Sequence, residues 1–363
     1  MVADPRETRQ GALLALLAAA GLDGLLVLSL ANIRYLTGFT GSSALLLIRE
    51  SGAALITDFR YATQAPREAG NAARVEIDRI STWDRLGKVA SETKNGARLG
   101  FEAHIATVRD GGRIAAIEHA RWEPVSDLVE QLRLVKDPGE VQAIRRAAEV
   151  AQAALNEVLG EITAGQQELT VAALLESALR RRGSEWHPFP TIVASGPRAA
   201  LPHARTSERE IQAGEFLLLD FGAQVDGYCA DLTRTVVVGA RADQRQRLVY
   251  NTVATAQRRA LNGIRAGLTG READSLAREV IVSAGFGEAF GHSLGHGLGL
   301  EVHEAPRVGP TGQAALPPGA VVTVEPGIYL PEWGGVRLED DALVTGDGTE
   351  LLSDNRVDLV ELV

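Results

Sequence analysis

Residues 216–238 have the sequence FLLLDFGAQVDGYCADLTRTVVV, in which two β-rich runs flank the pair Asp226-Gly227. An Asp-Gly pair between two such runs is a strong signal for a two-residue hairpin turn. Each run carries one aspartate among residues typical of a buried sheet, Asp220 in the first and Asp231 in the second. The stretch therefore predicts a buried β-hairpin with one carboxylate on each strand.

The predicted hairpin brings the two aspartates together. A two-residue turn places Asp231 opposite Gly222, so that Asp220 is its diagonal neighbour on the same face, with Cβ atoms about 7 Å apart. Burying an isolated carboxylate costs several kcal/mol even after the protein relaxes. Two such groups among Leu, Phe and Val side chains therefore predict a positive charge between them.

The composition is that of an ordinary globular protein. The chain has 363 residues, more than one hydrophobic core usually accommodates, so two domains are expected. The net charge of -10 argues against a nucleic-acid partner, which needs clustered Lys and Arg, and favours small molecules or peptides as ligands. The single cysteine, Cys229, excludes an internal disulfide and is compatible with a reducing cytoplasm, the expected location.

The N-terminal stretch Gly11–Ala20 resembles the apolar part of a secretory signal. The preceding residues argue against that interpretation, because the four charges at positions 4–9 cancel where a signal is basic. A strand-like run, 22–29, follows at once, so we interpret residues 6–20 as the first helix of a domain. No run in the sequence is long enough and free enough of charge to span a membrane.

The first 135 residues predict an α/β domain. Short apolar runs alternate with helical stretches, a pattern typical of a sheet covered by helices. The predicted strands are 24–29, 43–48, 53–57, 74–77 and 98–101, and the predicted helices are 6–20, 60–69, 83–94, 105–119 and 126–134. The stretch Lys136–Glu140 contains the helix-breaking pair Pro138-Gly139, so we place the boundary there and expect domains at 1–135 and 136–363.

The remaining residues predict an α+β domain. The predicted helices are 139–160, 168–183, 243–266 and 271–284, and the predicted strands are 191–195, 215–222, 228–238, 320–325 and 336–345. Strands that pair as hairpins, with helices grouped between them, are typical of this class. The sequence has no repeat of 20–50 residues, which excludes a solenoid.

Three of the seven histidines lie between His292 and His303. The glycines around His296 allow the backbone to approach a bound group closely. They do not form a dinucleotide-binding loop, because no strand and helix start flank them. The stretch is not a zincin motif either, since the second histidine is missing and Pro306 would break the required helix.

Two glutamates lie at or near the ends of β-branched runs, Glu325 after residues 321–324 and Glu339 after residues 336–338. Period-two alternation puts Glu339 on the same strand face as Arg337. Each glutamate alone is more simply explained as a solvated or salt-bridged acid. Jointly with the hairpin and the histidine-rich stretch they offer four carboxylates and one imidazole, a set suited to two divalent cations: Asp220, Asp231, His296, Glu325 and Glu339.

The motifs LDFG, DGYCADLTRT, HSLGHGLGLEVHE, TVEPGIY and GVRLED resemble those of the pita-bread metallopeptidases, in particular the branch of Xaa-Pro dipeptidase (prolidase) and Xaa-Pro aminopeptidase. The resemblance covers most of residues 136–363. Upstream, Asn32–Gly38 and Thr57–Tyr61 resemble the creatinase-type N-terminal domain of the same branch. The resemblance implies an α+β fold with a C-terminal pita-bread catalytic domain, preceded by a smaller α/β creatinase-type domain.

The resemblance also implies roles for individual residues. His203 and His303 correspond to histidines that steady the tetrahedral intermediate, and His292 to one that lines the proline pocket. Arg337 corresponds to an arginine that orients the substrate and a neighbouring metal ligand. The metal ligands of the family fall on the five residues of the carboxylate and imidazole set: Asp220, Asp231, His296, Glu325 and Glu339.

The activity implied by the resemblance is that of an exopeptidase that hydrolyses the bond between an N-terminal residue and a following proline. The nucleophile would be a hydroxide bound by two divalent cations, and Glu325 would carry the proton to the proline nitrogen. Oxygen-rich ligation with one imidazole favours Mn²⁺, with Co²⁺ or Zn²⁺ as replacements. The expected partners are proline-containing di- or oligopeptides and, from the resemblance alone, a second copy of the chain in a homodimer.

Two other classes stay open beside this one. The first is a metal-free hydrolase of the creatinase kind, and the second is a catalytically inactive interaction protein that kept the pita-bread fold. The acids argue against the metal-free class, because without cations they would destabilise the core. The sequence does not separate a dipeptidase from an aminopeptidase, and a substrate contact by Arg60 or Tyr61 stays open beside a surface role.

Overall fold

A computed structural model describes residues 4–353 and 358–363. The chain divides into two units, Met1–Arg133 and Leu134–Val363. The N-terminal unit contains, in order, α1 (Pro5–Ala19), β1 (Gly24–Val27), α2 (Leu30–Thr37), β2 (Ala44–Arg49), β3 (Gly52–Asp58), α3 (Gln64–Ala69), β4 (Arg74–Asp78), α4 (Thr82–Ala90), β5 (Arg98–Glu102), α5 (Val108–Ala115), β6 (Arg121–Val125) and α6 (Leu128–Arg133).

A six-stranded mixed sheet forms the centre of the N-terminal unit, in the order β4-β3-β2-β1-β5-β6. Strands β1, β2 and β3 pair antiparallel, whereas β4, β5 and β6 each join a neighbour in parallel. Leu26, Leu47 and Ile56 of the central strands are buried together with Leu86 of α4 and Ile114 of α5. Helices therefore cover the sheet, and the predicted α/β architecture of this unit is confirmed.

Two elements of this unit were not predicted, α2 and β6. The residues before α2 form a strand that ends at Val27, and the Ser29 hydroxyl then caps the new helix by accepting from the Asn32 N–H. Strand β6 contains Pro124, which lacks a ladder donor and lowers the strand signal. The strand is tolerated because β6 lies at the edge of the sheet, where proline removes no central hydrogen bond.

The C-terminal unit contains α7 (Pro138–Leu159), α8 (Glu168–Arg181), β7 (Ile192–Ser195), β8 (Phe216–Val225), β9 (Tyr228–Val238), α9 (Gln244–Gly263), α10 (Gly270–Ser283), β10 (Gly295–Gly297), β11 (Glu304–Val308), β12 (Val321–Val324), β13 (Gly327–Leu330), β14 (Gly334–Arg337), β15 (Asp340–Val344), β16 (Thr349–Leu351) and β17 (Glu361–Leu362). Short 3₁₀ turns lie at Gly196–Ala200 and Gly287–Ala289.

The strands of the C-terminal unit form three sheets, β17-β9-β8-β7, β11-β10-β12-β15-β16 and the pair β13-β14. Helices α7 and α8 pack on the hairpin through Ala151 and Leu175. Helices α9 and α10 pack on the second sheet through Val253 and Ala277. Strands that pair as hairpins, with the helices grouped in pairs, confirm the predicted α+β class. Because each pair of helices covers a sheet, the strands of these sheets are buried.

The hairpin β8–β9 has the predicted register. Asp226 and Gly227 form its two-residue turn with φ angles of 51° and 79°, and Gly222 pairs with Asp231. Both positive φ values are those of the turn type that matches the twist of hairpin strands. All eleven residues of β9 are buried, so its polar side chains are held inside the protein rather than in solvent.

The predicted single strand at 336–345 is wrong. The structure divides it into β14 and β15, which belong to different sheets, and the chain leaves one sheet at Leu338 and Glu339. The short strands β10, β11, β13, β16 and β17 were also missed, since two to five residues give too little periodicity. Within the described ranges, no helix has the length and hydropathy needed to cross a membrane.

Candidate active site

Asp220 and Asp231 lie on one face of the hairpin as diagonal neighbours. Asp220 pairs with Thr233, and Asp231 pairs with Gly222. Both carboxylates are buried, at 8% and 6% exposure. Gly222 is needed between them, because a Cβ there would lie 2.2 Å from the carbonyl oxygen of Ala230 on the paired strand. The close approach of β8 and β9 thus depends on a glycine beside the two acids.

Glu339 joins the hairpin at the point where the chain passes from β14 to β15. Its N–H donates to the Thr233 carbonyl over 3.1 Å, and the Thr233 hydroxyl donates to Glu339 Oε2 over 2.6 Å. These contacts hold the Glu339 carboxylate beside Asp220 and Asp231. The break that ended the predicted long strand is therefore what turns this carboxylate toward the hairpin.

His296 lies on β10 with a defined tautomer. Its Nδ1 is 3.0 Å from the carbonyl oxygen of Gly297, which can only accept, so Nδ1 carries the proton. The Nε2 lone pair is then free, and it faces Asp231 Oδ2 at 3.8 Å and Glu325 Oε1 at 3.5 Å. Ligand atoms of Asp231, His296 and Glu339 all lie within 4.8 Å of one another. With the carboxyls ionised, the arrangement presents lone pairs to lone pairs, which is repulsive unless a cation lies among them.

The protonation equilibria of these groups are strongly displaced. Burial raises the pKa of Asp220, and it raises the pKa of Asp231 and Glu325 well above the usual range. Burial, followed by the charge of Asp220, raises the pKa of Glu339 to about 8. Burial also lowers the pKa of His296 to about 4, so its imidazole is neutral. Carboxylates that resist ionisation beside a neutral imidazole are what a buried cation site without its charge produces.

The carboxylate oxygens also leave hydrogen-bonding capacity unused. Asp231 Oδ1 is buried and accepts no hydrogen bond from the described residues. A buried carboxylate oxygen without a donor costs about 1–3 kcal/mol or more. A divalent cation would satisfy this oxygen, and the oxygen-rich donor set with one imidazole suits Mn²⁺, Co²⁺ or Zn²⁺. The residues present therefore fit the predicted metal pair.

Arg337 is the cation that the structure places among these acids. It donates to Asp220 Oδ2 over 2.5 Å, to the Thr233 hydroxyl over 3.1 Å and to the Tyr329 hydroxyl over 2.8 Å. One guanidinium against the four carboxylates Asp220, Asp231, Glu325 and Glu339 leaves a deficit of positive charge. Its Nη2 fixes Oδ2 of Asp220, while its other nitrogens are held by Thr233 and Tyr329.

His292 is held by Tyr329 on the other side of Arg337. His292 Nδ1 lies 2.8 Å from the Ser293 carbonyl and therefore carries the proton, so Nε2 accepts from the Tyr329 hydroxyl at 2.9 Å. Burial lowers the pKa of His292 to about 4, which keeps the ring neutral. Both ring nitrogens are thus occupied, and His292 meets the cleft with its ring surface rather than with a free donor.

All nine predicted site residues line one cleft of about 1470 Å³ in the C-terminal unit. His303 stands beside the ligand set, with its ring centroid 4.4 Å from that of His296. His203 follows the 3₁₀ turn Gly196–Ala200 and lines the same cleft. Both histidines are exposed to the cleft, so their imidazoles can meet a bound molecule.

Arg60 and Tyr61 lie in the N-terminal unit and have local partners. Arg60 is half-exposed and paired with Asp58, and the Tyr61 hydroxyl contacts Ser42 over 2.7 Å. A separate group in that unit, His104, Asp127 and Glu130, also places ligand atoms within 4.8 Å of one another. Its members are exposed or half-buried, so water can solvate them and they require no cation.

Sequence reasoning missed Thr233 and Tyr329, which hold site residues without carrying an obvious chemical signature. Thr233 could have been found, because the predicted hairpin register already placed it opposite Asp220. Tyr329 had no such signal, since its partners Arg337 and His292 come from other parts of the chain.

Comparisons with known proteins match both units. The family model described as Metallopeptidase family M24 matches residues 142–346, and that of the Creatinase/Prolidase N-terminal domain matches residues 9–135. An Xaa-Pro dipeptidase of Pyrococcus horikoshii is 35% identical over 93% of this chain and 95% of its own. The solved structure of an Xaa-Pro dipeptidase from Bacillus anthracis has a TM-score of 0.95 and 42% identity, covering 98% of this chain and 100% of that chain. An X-Pro aminopeptidase from Thermotoga maritima has a TM-score of 0.90 and 38% identity, covering 97% and 99%.

Proposed function

Because the chain belongs to metallopeptidase family M24, we propose that it is a metal-dependent exopeptidase that hydrolyses the bond between an N-terminal residue and a following proline. Its fold is the one expected from the resemblance, a creatinase-type N-terminal domain and a C-terminal pita-bread domain. The proposal includes the division into residues 1–135 and 136–363, a homodimeric assembly and a cytoplasmic location. The homodimer is supported by the family resemblance alone, and the single free cysteine, Cys229, is compatible with a reducing cytoplasm.

The observation that carries the proposal is the convergence of lone pairs on one buried point. His296 Nε2 lies 3.8 Å from Asp231 Oδ2 and 3.5 Å from Glu325 Oε1, and Asp231 Oδ1 has no donor among the described residues. We assign Asp220, Asp231, His296, Glu325 and Glu339 as ligands of two divalent cations, with Mn²⁺ favoured by the donor set. Bound there, the cations would generate a nucleophile from water near neutral pH and polarise the scissile carbonyl.

Glu325 is the proposed proton carrier. Its carboxyl lines the cleft beside the other proposed ligands, within reach of a water molecule held there, and a carboxylate in such a position can take up a proton and pass it on. The Thr323 hydroxyl, 3.3 Å from Glu325 Oε1, orients the carboxyl toward the cleft. In this role Glu325 takes the proton of the attacking water and delivers it to the departing proline nitrogen.

His203 and His303 are the proposed donors to the developing oxyanion. Both imidazoles face the cleft, and His303 lies beside His296. Preorganised donors of this kind typically contribute about 100-fold or more to the rate. Arg337, whose guanidinium contacts Asp220 and Tyr329, would orient both the metal ligand Asp220 and the substrate.

The ring of His292, which lines the cleft, gives a physical basis for the proposed preference for proline. Its nitrogens are taken by Ser293 and Tyr329, and Phe290 packs edge-on against it at 5.1 Å. The ring therefore offers a surface without free donors, which suits the apolar face of proline. The amide nitrogen of an Xaa-Pro bond also carries no hydrogen. Such a bond can therefore bind in a site that has no acceptor waiting for an N–H of the substrate.

The alternatives are not favoured by the same geometry. A metal-free hydrolase would leave the lone-pair contacts of His296 uncompensated, and an inactive protein would have no need of the intact ligand set. A dipeptidase and an aminopeptidase remain to be distinguished by substrate length, which parallel assays of an Xaa-Pro dipeptide and an Xaa-Pro-Yaa tripeptide would decide.

The test is a metal analysis coupled to hydrolysis. The protein is stripped with a chelator, reconstituted separately with Mn²⁺, Co²⁺ or Zn²⁺, and assayed on an Xaa-Pro dipeptide and on the matching Xaa-Ala dipeptide. We expect about two ions per chain, recovery with Mn²⁺ and a strong preference for proline. Activity in the stripped protein would favour the metal-free hydrolase, and two bound ions without hydrolysis would favour the inactive protein.

A further inference from the structure

His203 is carried by a loop whose two ends meet at one carboxylate. The segment 195–207, here called the His203 loop, begins at Ser195 at the end of β7 and ends at Ser207. Glu168, the first residue of α8, lies between these two ends and is fully buried. His203 lies near the far side of the loop, where it lines the cleft. A loop closed in this way is fixed at its base.

Glu168 accepts hydrogen bonds from both ends of the loop. Ser195 donates to Oε1 through its N–H at 2.8 Å and its hydroxyl at 2.9 Å. Ser207 donates to Oε2 through its N–H at 3.1 Å and its hydroxyl at 2.6 Å. Arg198 adds its guanidinium Nε, 3.2 Å and 3.1 Å from the two oxygens. Both oxygens thus act only as acceptors, and an arginine of the same loop balances the charge.

The contact is reciprocal, because the chain after the loop caps the helix that carries Glu168. The N–H of Glu168 donates to the Arg209 carbonyl, and the N–H of Leu169 donates to the Ser207 carbonyl. The Gln167 side chain makes no capping bond, so these carbonyls satisfy two free N–H groups of the helix start. Moving Glu168 therefore disturbs the loop base and the start of α8 together.

A second attachment holds the tip of the loop. Arg337 donates to the carbonyl oxygen of Pro202 over 3.2 Å, directly before His203. The same guanidinium binds Asp220, so the loop tip is tied to the ligand set. His203 is thereby held between the attachment of the tip to Arg337 and the attachment of the base to Glu168.

We propose that Glu168 is a positioning residue that acts through His203, holding the His203 loop so that the imidazole meets the oxyanion of the bound substrate. The inference rests on the proposed function, in which His203 donates that hydrogen bond. Glu168 is a positioning residue rather than a catalytic one, because it is fully buried and is not among the residues that line the cleft. Its charge matters, because a glutamine would turn one acceptor oxygen into an amide donor that faces the N–H of Ser195 or Ser207.

The experiment is a double-mutant cycle in the full-length, Mn²⁺-loaded enzyme with Glu168→Gln, His203→Ala and the double variant. Glu168→Gln is expected to lower kcat about tenfold with KM and bound metal unchanged, and His203→Ala about 100-fold. The double variant should be no slower than His203→Ala alone, because a residue that acts through His203 has nothing left to position. Glu157→Gln is the matched control. This carboxylate binds Arg181 and Arg182 away from the cleft, so kcat should stay within twofold.

Independent losses in kcat that multiply in the double variant would overturn the proposal. If Glu168→Gln does not fold, the same cycle is run with Ser207→Ala, which keeps the carboxylate and removes the 2.6 Å donor to Glu168 together with the acceptor of the Arg209 N–H. A Ser207→Ala variant with unchanged kcat would also count against the proposal. A parent enzyme that hydrolyses no Xaa-Pro peptide would reject the proposed function itself, whereas an active parent with additive variants rejects only the role of Glu168.

Discussion

Thr233 shows how one small side chain can organise a charged site. Its hydroxyl donates to Glu339 Oε2 at 2.6 Å and accepts from Arg337 Nε at 3.1 Å. One oxygen therefore orients a proposed metal ligand and the guanidinium that fixes Asp220. Asp220, which pairs with Thr233 across the hairpin, was predicted as a site residue because a charge in a buried strand needs an explanation. A threonine in a β-rich run needs none, because threonine is common in strands. The hairpin register placed Thr233 opposite Asp220, but its contacts with Glu339 and Arg337, about a hundred residues away, become visible only in the folded structure.

Replacing Thr233 with valine is expected to weaken metal binding while preserving the fold. Valine has the same shape, but it removes the donor that orients Glu339, and partners of this kind typically contribute about 10- to 100-fold to metal affinity. We expect a fall of that size in Mn²⁺ affinity by titration calorimetry. Thr252→Val is the control, because its hydroxyl bonds only to Leu248 within α9. Equal affinities in the two variants would contradict the role of Thr233.

His303→Ala should separate catalysis from metal binding. The imidazole lies beside His296 but is not among the five assigned ligands, so its loss should lower kcat about 100-fold and leave about two ions per chain. Steady-state kinetics on an Xaa-Pro dipeptide and metal analysis of the same sample check both quantities. A parallel loss of metal would instead place His303 in the ligand set.

At the scale of elements, the hairpin was predicted because its sequence signals are local and agree with one another. The Asp226-Gly227 turn fixed the register, and the register placed the two aspartates. The run at 336–345 was wrongly predicted as one strand because its local signals conflict with a contact to a distant segment. Its β-branched residues favour one strand, but the chain changes sheets at Leu338 and Glu339 because the Glu339 N–H pairs with Thr233 on the hairpin. That pairing joins positions about a hundred residues apart, which local periodicity cannot reveal.

Gly222→Ala tests the close approach of the hairpin strands. A Cβ at this position would lie 2.2 Å from the Ala230 carbonyl and 2.8 Å from Pro188, so the backbone must shift. We expect a loss of about 1–3 kcal/mol in the free energy of unfolding, measured in denaturant, together with weaker Mn²⁺ binding. Gly160→Ala is the control, since nothing lies within 4 Å of its added Cβ. Unchanged stability in Gly222→Ala would mean that the strands are farther apart than described.

At the scale of the whole molecule, the sequence predicted which side chains form the site. It did not predict the contacts through which these side chains hold one another in place. The hairpin, β10, the end of β12 and the β14–β15 junction each supply one or two ligand residues. Their types and approximate order were visible as motifs. The tautomer of His296 and the Thr233 contacts that orient Glu339 and Arg337 were not, because both depend on which backbone and side chains pack around them.

The stability of the whole chain should therefore depend on metal and pH together. Without cations, the folded protein raises the pKa of Glu339 to about 8, against an ordinary value of 4.5. A carboxyl with a raised folded pKa contributes most below its unfolded pKa, and this contribution is lost as pH rises toward 8. His296 and His292, each with its pKa lowered to about 4, have the opposite sign, and their contribution is complete about one pH unit above the ordinary histidine value of 6.5, where both rings are neutral in the folded and the unfolded state.

Thermal unfolding between pH 7.5 and 9 isolates the carboxyl contribution from that of the two histidines. The chelator-stripped protein should lose stability as pH rises through this range, because folding then confines ionised carboxylates without a counter-charge. The Mn²⁺-loaded protein should lose less, so that the difference in Tm between the two forms widens with pH. Glu339→Gln should narrow that difference, since one titrating acid is gone. A stripped protein with the same Tm at pH 7.5 and 9 would mean that these acids do not share a confined site, and the metal assignment would fall with it.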